Sequence, residues 1–134
     1  MKTKKAVSHH DTLQKLRRTE LLLEITKKIA GLNSLSDILW ILIEFVTEEL
    51  EADRGTLFLN DEETNELYSR VAQGDLTREI RILNDVGIAG AIFHNEKGEI
   101  IHNVYDDERF NDEVDQETGY ETKNMICSPI KTVG

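Results

Sequence analysis

Two stretches of the sequence hold residues whose types and spacing suit ligand binding. Gly87-Ile88-Ala89-Gly90 sets glycines where a strand gives way to a helix. There the backbone can approach a ligand closely, and the amides of the first helical turn attract an anion. A tight turn packed for its own sake needs the same two glycines, so the motif alone does not separate the two accounts. The second stretch, from Arg109 to Thr122, places the Asn111 amide, the Asp115 carboxylate and the Thr118 and Thr122 hydroxyls on one long polar segment. Convergent polar groups on a long loop held by a rigid scaffold are a usual way to build a binding site. Asp115 and Thr118 equally suit the capping of a short helix, and taken alone capping is the simpler account.

Other chemistry finds little support. His94 and His102 stand apart, with no Cys or paired carboxylate at zinc spacing, and His9-His10 falls in an expected mobile tail, so no metal site is expected. Cys127 is the only cysteine and sits in an apolar run, where it reads as a small core residue. One cysteine allows no internal disulfide and points to a reducing, cytoplasmic setting. The acidic pairs Glu62-Glu63 and Asp106-Asp107 lie in turns and read as solvated. No catalytic residue is assigned.

The elements that must position these residues follow from periodicity. From Asp11 to about Leu32 runs a helical pattern, with Leu22, Ile25 and Ile29 as one buried stripe and Gly31 as its stop. Ser34, with Asp37 three residues on, opens a second helix whose apolar face is Leu35, Ile38, Leu39, Leu42, Phe45 and Val46. After Glu51 the period changes to 2. Strands are expected at 54–59, 66–71 and 79–82, with turns at 60–65 and at Gly74-Asp75. A short helix from Gly87, ended by Gly98, leads to a strand over 99–104. A polar loop with one helical turn follows, and then a last strand over 124–130 that carries Pro129. The order describes an α+β domain, an antiparallel sheet with helices packed on it and a long polar loop that the sheet could hold over a cavity.

The 134 residues have room for one core, and 39% hydrophobic with 31% charged residues is the balance of a folding chain. No apolar run approaches the roughly 18 residues of a membrane-spanning helix. Net charge is −10, and residues 1–18 hold six Lys or Arg against one Asp, a net +5 that leaves −15 on the remainder. Such a surface argues against nucleic acid as a partner, whereas a single small anion remains open to backbone amides.

In this order and spacing the two motifs resemble the GAF domains of cyclic-nucleotide phosphodiesterases and cyanobacterial adenylyl cyclases. The likeness runs from about Ser34 to Ile130. Its most specific part is Arg109-Phe110, then Val114 through Asn124, then Cys127-Ser128-Pro129-Ile130. The resemblance implies a sheet as the floor of a pocket, with the cyclic phosphate of cAMP or cGMP at the amides where Ile88 and Ala89 begin a helix. It implies Thr118 and Thr122 near phosphate and ribose, and Asp115 and Asn111 on the lid. Arg54 and Thr56, two apart on a strand and so on one face, would meet the base. Gln73 is a weaker candidate.

The expected organisation is a basic tail and leading helix over 1–33, for association and signalling, and a GAF sensor over 34–134. The family's last strand, its Asn-Lys loop and its closing helix do not follow Gly134, so a truncated end is expected. Ligand binding would close the lid and act on an output domain through the terminal helices, with no chemistry performed and no cofactor beyond the ligand. A homodimer through the leading helix is expected, because Leu13, Leu16, Leu21, Leu22 and Leu23 accompany Ile25 and Ile29, more than one narrow stripe needs. The alternative is a GAF dimerisation module without a ligand. A bilin site or a methionine-sulfoxide-reducing site would need thiols that a single Cys127 does not supply.

Overall fold

The computed structural model describes residues 9–74 and 78–131 and divides them at Asp53/Arg54 into two units. Lys2, Lys4 and Lys5 of the basic tail and Asp75 of the expected turn lie outside the described residues.

The first unit is a pair of helices, α1 (His9–Ile29) and α2 (Leu35–Glu49). His9 and His10 open α1, where a mobile tail was expected, and His10 pairs with Gln14 at 3.1 Å. The inward stripe of α1 is also displaced. Leu21, Ile25, Ile29 and Leu32 are half-buried, while Leu22 is 67% exposed. At about 100° per residue, Leu21 and Leu22 flank Ile25 and Ile29 on opposite sides, so spacing alone does not choose between them. Arg17 bonds Glu49 at 2.7 Å, and the Lys28 ammonium stands 5.1 Å from the Phe45 ring. Ser34 is the residue before α2 in extended conformation, as a cap should be, yet its side chain makes no capping bond. The box is built for Glu or Gln at the third position, and Asp37 is a methylene shorter.

In the second unit the alternating residues after Arg54 form an antiparallel meander of β1 (Thr56–Asp61), β2 (Glu66–Ala72) and β3 (Arg81–Leu83), in that order. Asp61 fixes the hairpin, its carboxylate accepting from the Glu63 amide at 3.0 Å, and Asn65 takes the left-handed conformation that closes it. Between Leu57↔Val71 and Phe58↔Ser69 the register slips by one residue, a bulge that leaves Arg70 unopposed. Leu57 and Phe58 are therefore both half-buried, where strict alternation would expose one of them. Leu67 and Val71 of β2 are buried.

A second, two-stranded ladder pairs β4 (Glu99–Ile101) with β5 (Met125–Cys127). Both are shorter than expected. Val104 leaves the strand to begin a 3-10 turn, Val104–Asp106, and Pro129 lies beyond β5. Between the two ladders runs α3 (Gly87–Asn95), which stops at Glu96 in the left-handed conformation, two residues before the expected Gly98. Its buried Ile88 and Ile92 join Ile101 and Val104 in the core, with Phe110, Met125 and Cys127 packed against them. The last helix, α4 (Glu113–Thr118), ends at Gly119 with φ +73.

Candidate functional site

The glycines of the first motif have packing work to do. A Cβ on Gly90 would stand 2.8 Å from the Asp85 carbonyl carbon, so the Asn84–Asp85 backbone can lie on α3 only because Gly90 has none. Gly87 adopts φ +73, and a Cβ there would stand 3.6 Å from the Arg109 carbonyl oxygen. The start of α3 is thus next to the start of the polar 109–122 segment. Ile88 faces the core at 4% exposure, leaving its amide rather than its side chain for any ligand, and Ala89 is half-buried. Gly90 donates to the Val86 carbonyl at 3.2 Å, so the amides of Gly87 to Ala89 precede the first intrahelical bond.

The polar segment is organised around Asp115, which is 8% exposed. Its carboxylate accepts from the Thr122 hydroxyl at 2.7 Å, from the Thr122 amide at 2.7 Å and from the Tyr105 hydroxyl at 2.7 Å. Burial pushes this carboxyl up. The Thr122 hydroxyl and amide, the Tyr105 phenol and the positive charge of Arg54 together outweigh burial and hold it below the usual carboxylate range. Tyr105 in turn is pushed up to about 12, first by its bond to Asp115 and then by burial and the surrounding carboxylates. Its ring meets Phe110 edge-on at 5.1 Å, which connects the polar cluster to the core.

Arg54 arrives from the other end of the unit, two residues ahead of β1. Its guanidinium lies 3.8 Å from the centre of the Tyr120 ring and against Gly74, where a Cβ would come within 2.7 Å of it. Gln73 secures that approach. Its side-chain oxygen accepts from the Gly55 amide at 2.9 Å, and its own amide donates to the Gly55 carbonyl at 3.0 Å. Thr56 stands opposite Ala72 and is exposed.

Arg54, Asp115 and Thr122 are therefore brought together, whereas Asn111 and Thr118 make local bonds. The Asn111 side chain accepts from the Glu113 amide at 2.9 Å just ahead of α4. The Thr118 hydroxyl donates to the Val114 carbonyl at 2.8 Å and accepts from the Tyr120 amide at 3.3 Å. Tyr105 and Tyr120 are the site residues that sequence reasoning missed. The available signal was a tyrosine beside a run of polar residues, since its hydroxyl needs a partner once its ring packs.

Hydrogen-bond direction limits what the two threonines can do. A carboxylate and a carbonyl only accept, so both hydroxyl protons are committed within the protein, and Thr122 offers a ligand lone pairs alone. Tyr105, Asp115, Gln116, Gly119, Tyr120 and Glu121 line an open depression of ≈ 370 Å³ on the segment. Nearer the start of the segment, Arg109 clamps Glu99 of β4 at 2.9 Å and Asp107 at 2.8 Å, and holds the Asp107 carboxyl down to about 2. Among the described residues no three His, Cys, Asp or Glu side chains are grouped as a metal site would require.

The GAF domain family model matches residues 34–134. Over 90% of its length the chain is 34% identical to a probable 3',5'-cyclic phosphodiesterase, pde-5, of Caenorhabditis elegans. Over 89% it is 33% identical to the dual 3',5'-cyclic-AMP and -GMP phosphodiesterase 11 of Drosophila melanogaster. It spans only 18% and 9% of those two proteins. Among solved structures, the GAF domain of a phosphoenolpyruvate-protein phosphotransferase from Coxiella burnetii superposes with a TM-score of 0.76 at 20% identity, over 85% of this chain and 69% of that one.

Proposed function

The chain belongs to the GAF domain family, and we propose that it is a regulatory module that binds a cyclic nucleotide, cAMP or cGMP, and signals to an output domain. The observation that carries this reading is the convergence of Arg54, from the start of the unit, on the 105–122 segment, where it stacks on Tyr120 and its charge acts on Asp115, the partner of Thr122. The chain's likeness to cyclic-nucleotide phosphodiesterases extends the reading from an anion to a nucleotide.

The cyclic phosphate meets the amides at the start of α3, where the helix dipole favours negative charge. Arg54 supplies positive charge in a chain of net −10. Thr122, an acceptor only, takes a donor from the ligand: a ribose hydroxyl or a base N–H, not a phosphate oxygen. Closure follows from differential affinity. The nucleotide binds the closed 105–122 segment more tightly than the open one, and the population shifts accordingly. Burial pushes the Cys127 thiol up and away from the reactive thiolate, which supports a binding role over thiol chemistry.

Calorimetric titration with cAMP and cGMP tests this. Arg54→Ala and Thr122→Ala should each weaken binding about tenfold, which is 1.4 kcal/mol. Wild-type protein that binds neither nucleotide overturns the reading.

A second reading, a dimerisation module, rests on α1. It has no buried residue, and Leu13, Leu16, Leu22 and Leu23 are 52%, 54%, 67% and 55% exposed. Leu13, Leu16 and Leu23 share one face of the helix, and a second copy presenting the same face would cover them. Light scattering should then show a dimer that becomes a monomer when residues 1–20 are removed, and a dimer that survives the removal rules out this surface.

A further inference from the structure

The six residues of α4 have few apolar anchors: Asp115 is buried, Val114 and Thr118 are half-buried, and Glu113, Gln116 and Glu117 are exposed. A helix this short is not stable by itself. Its own segment supplies Tyr105 and Thr122 as supports. From the stretches that lead into β1 and β3 come two arginines. Arg54 stacks on Tyr120 just past the helix. Arg78, three residues ahead of β3, grips Glu117: its Nε donates to both carboxylate oxygens at 3.0 Å, and its Nη2 donates to Oε2 at 2.6 Å. Glu113, one turn earlier on the same face of α4, also acts on Arg78 electrostatically.

We infer that the Arg78–Glu117 pair is an ionic clasp that sets how often α4 opens away from the three-stranded sheet, and that ionic strength tunes it. Side chains 49% and 44% exposed make a pair that contributes little to global stability. The relevant quantity is different. Local opening of a short, weakly anchored surface element costs little, so a small electrostatic gain changes the open fraction severalfold. Where a nucleotide lies beneath the segment, the same opening governs its release; only that consequence rests on the cyclic-nucleotide reading.

Amide hydrogen exchange at Gln116 and Gly119, whose N–H groups bond the Asp112 and Asp115 carbonyls, reads the opening directly. Arg78→Glu and Glu117→Arg should each exchange roughly two- to fivefold faster than wild type at low salt, and the double variant should return to the wild-type rate. At about 1 M salt, where the screening length falls to about 3 Å, wild type should approach the single variants. Single variants that exchange like wild type at low salt, or a double variant that does not recover, overturn the clasp. Stopped-flow release of a fluorescent cyclic nucleotide is the second readout. Release quickened by the same factor supports gating, and faster exchange with unchanged release overturns it. If no nucleotide binds, the cyclic-nucleotide reading fails, and the exchange data still decide the clasp.

Discussion

The three-stranded sheet and the 104–122 segment lie in the same unit, yet they are held by different forces. β1 and β2 pair over nearly their full length, broken by one bulge, and the apolar side chains of Leu67 and Val71 are buried. The 104–122 segment has one buried apolar residue at its start, Val104, and one buried residue further on, which is the carboxylate Asp115. Its order comes from side-chain bonds to Asp115 and Arg109, and from two arginines that reach it from outside. Apolar burial is non-directional and tolerant of small shifts. A polar cluster is directional, and it can exchange its partners for those of a ligand at little cost. A segment meant to open and close is better built the second way.

The largest test of this contrast is Ile92→Ala. The side chain is 2% exposed in the core beneath the segment, so its loss should cost about 2–5 kcal/mol in chemical denaturation and lower protection throughout the unit. Asp115→Asn comes next. The amide keeps the shape but loses the charge that strengthens these bonds, and the Thr122 hydroxyl must turn from donor to acceptor, at a cost of about 1.5–3 kcal/mol. Hydrogen exchange should locate that loss in 104–122, with the amides of 56–72 much less affected. An equal loss in both places would mean that the segment and the sheet open as one body.

The smallest effect is on acid stability. Arg109 holds Asp107 at about 2, below its ordinary 3.8. A group depressed in the folded state stabilises the fold at pH above about 4, and that stabilisation is lost as pH falls from 4 towards 2. Melting temperature should therefore fall less steeply across this window in Asp107→Asn than in wild type. Parallel acid profiles would show that the Arg109 clamp does not support the segment's base.

Much of the fold was legible because its causes are local. Alternation over 54–59 and 66–71 marked the hairpin that forms as 56–61 and 66–72, the apolar spacing after Ser34 marked α2, and the glycines at 87 and 90 marked the start of α3. Errors came where a neighbour decided the outcome. The bulge at Leu57/Phe58 leaves both residues half-buried, Val104 leaves its strand while the Lys123 carbonyl takes its amide, and Glu96 rather than Gly98 ends α3. In the site, the sequence marked Asn111, Asp115, Thr118 and Thr122 as polar groups on one segment but could not say which would meet.

By itself, then, the sequence determined the α+β order, the glycine positions and the stretch that carries the polar groups, because periodicity and backbone preference act over a few residues. Only the tertiary structure decided that Asp115 takes Tyr105 and Thr122, that Arg54 crosses to Tyr120 and that Arg78 reaches Glu117. The last two pairings span 66 and 39 residues. Charge and hydrogen bonding choose partners by distance in space, and distance in space is set only when the sheet, α3 and the core have packed.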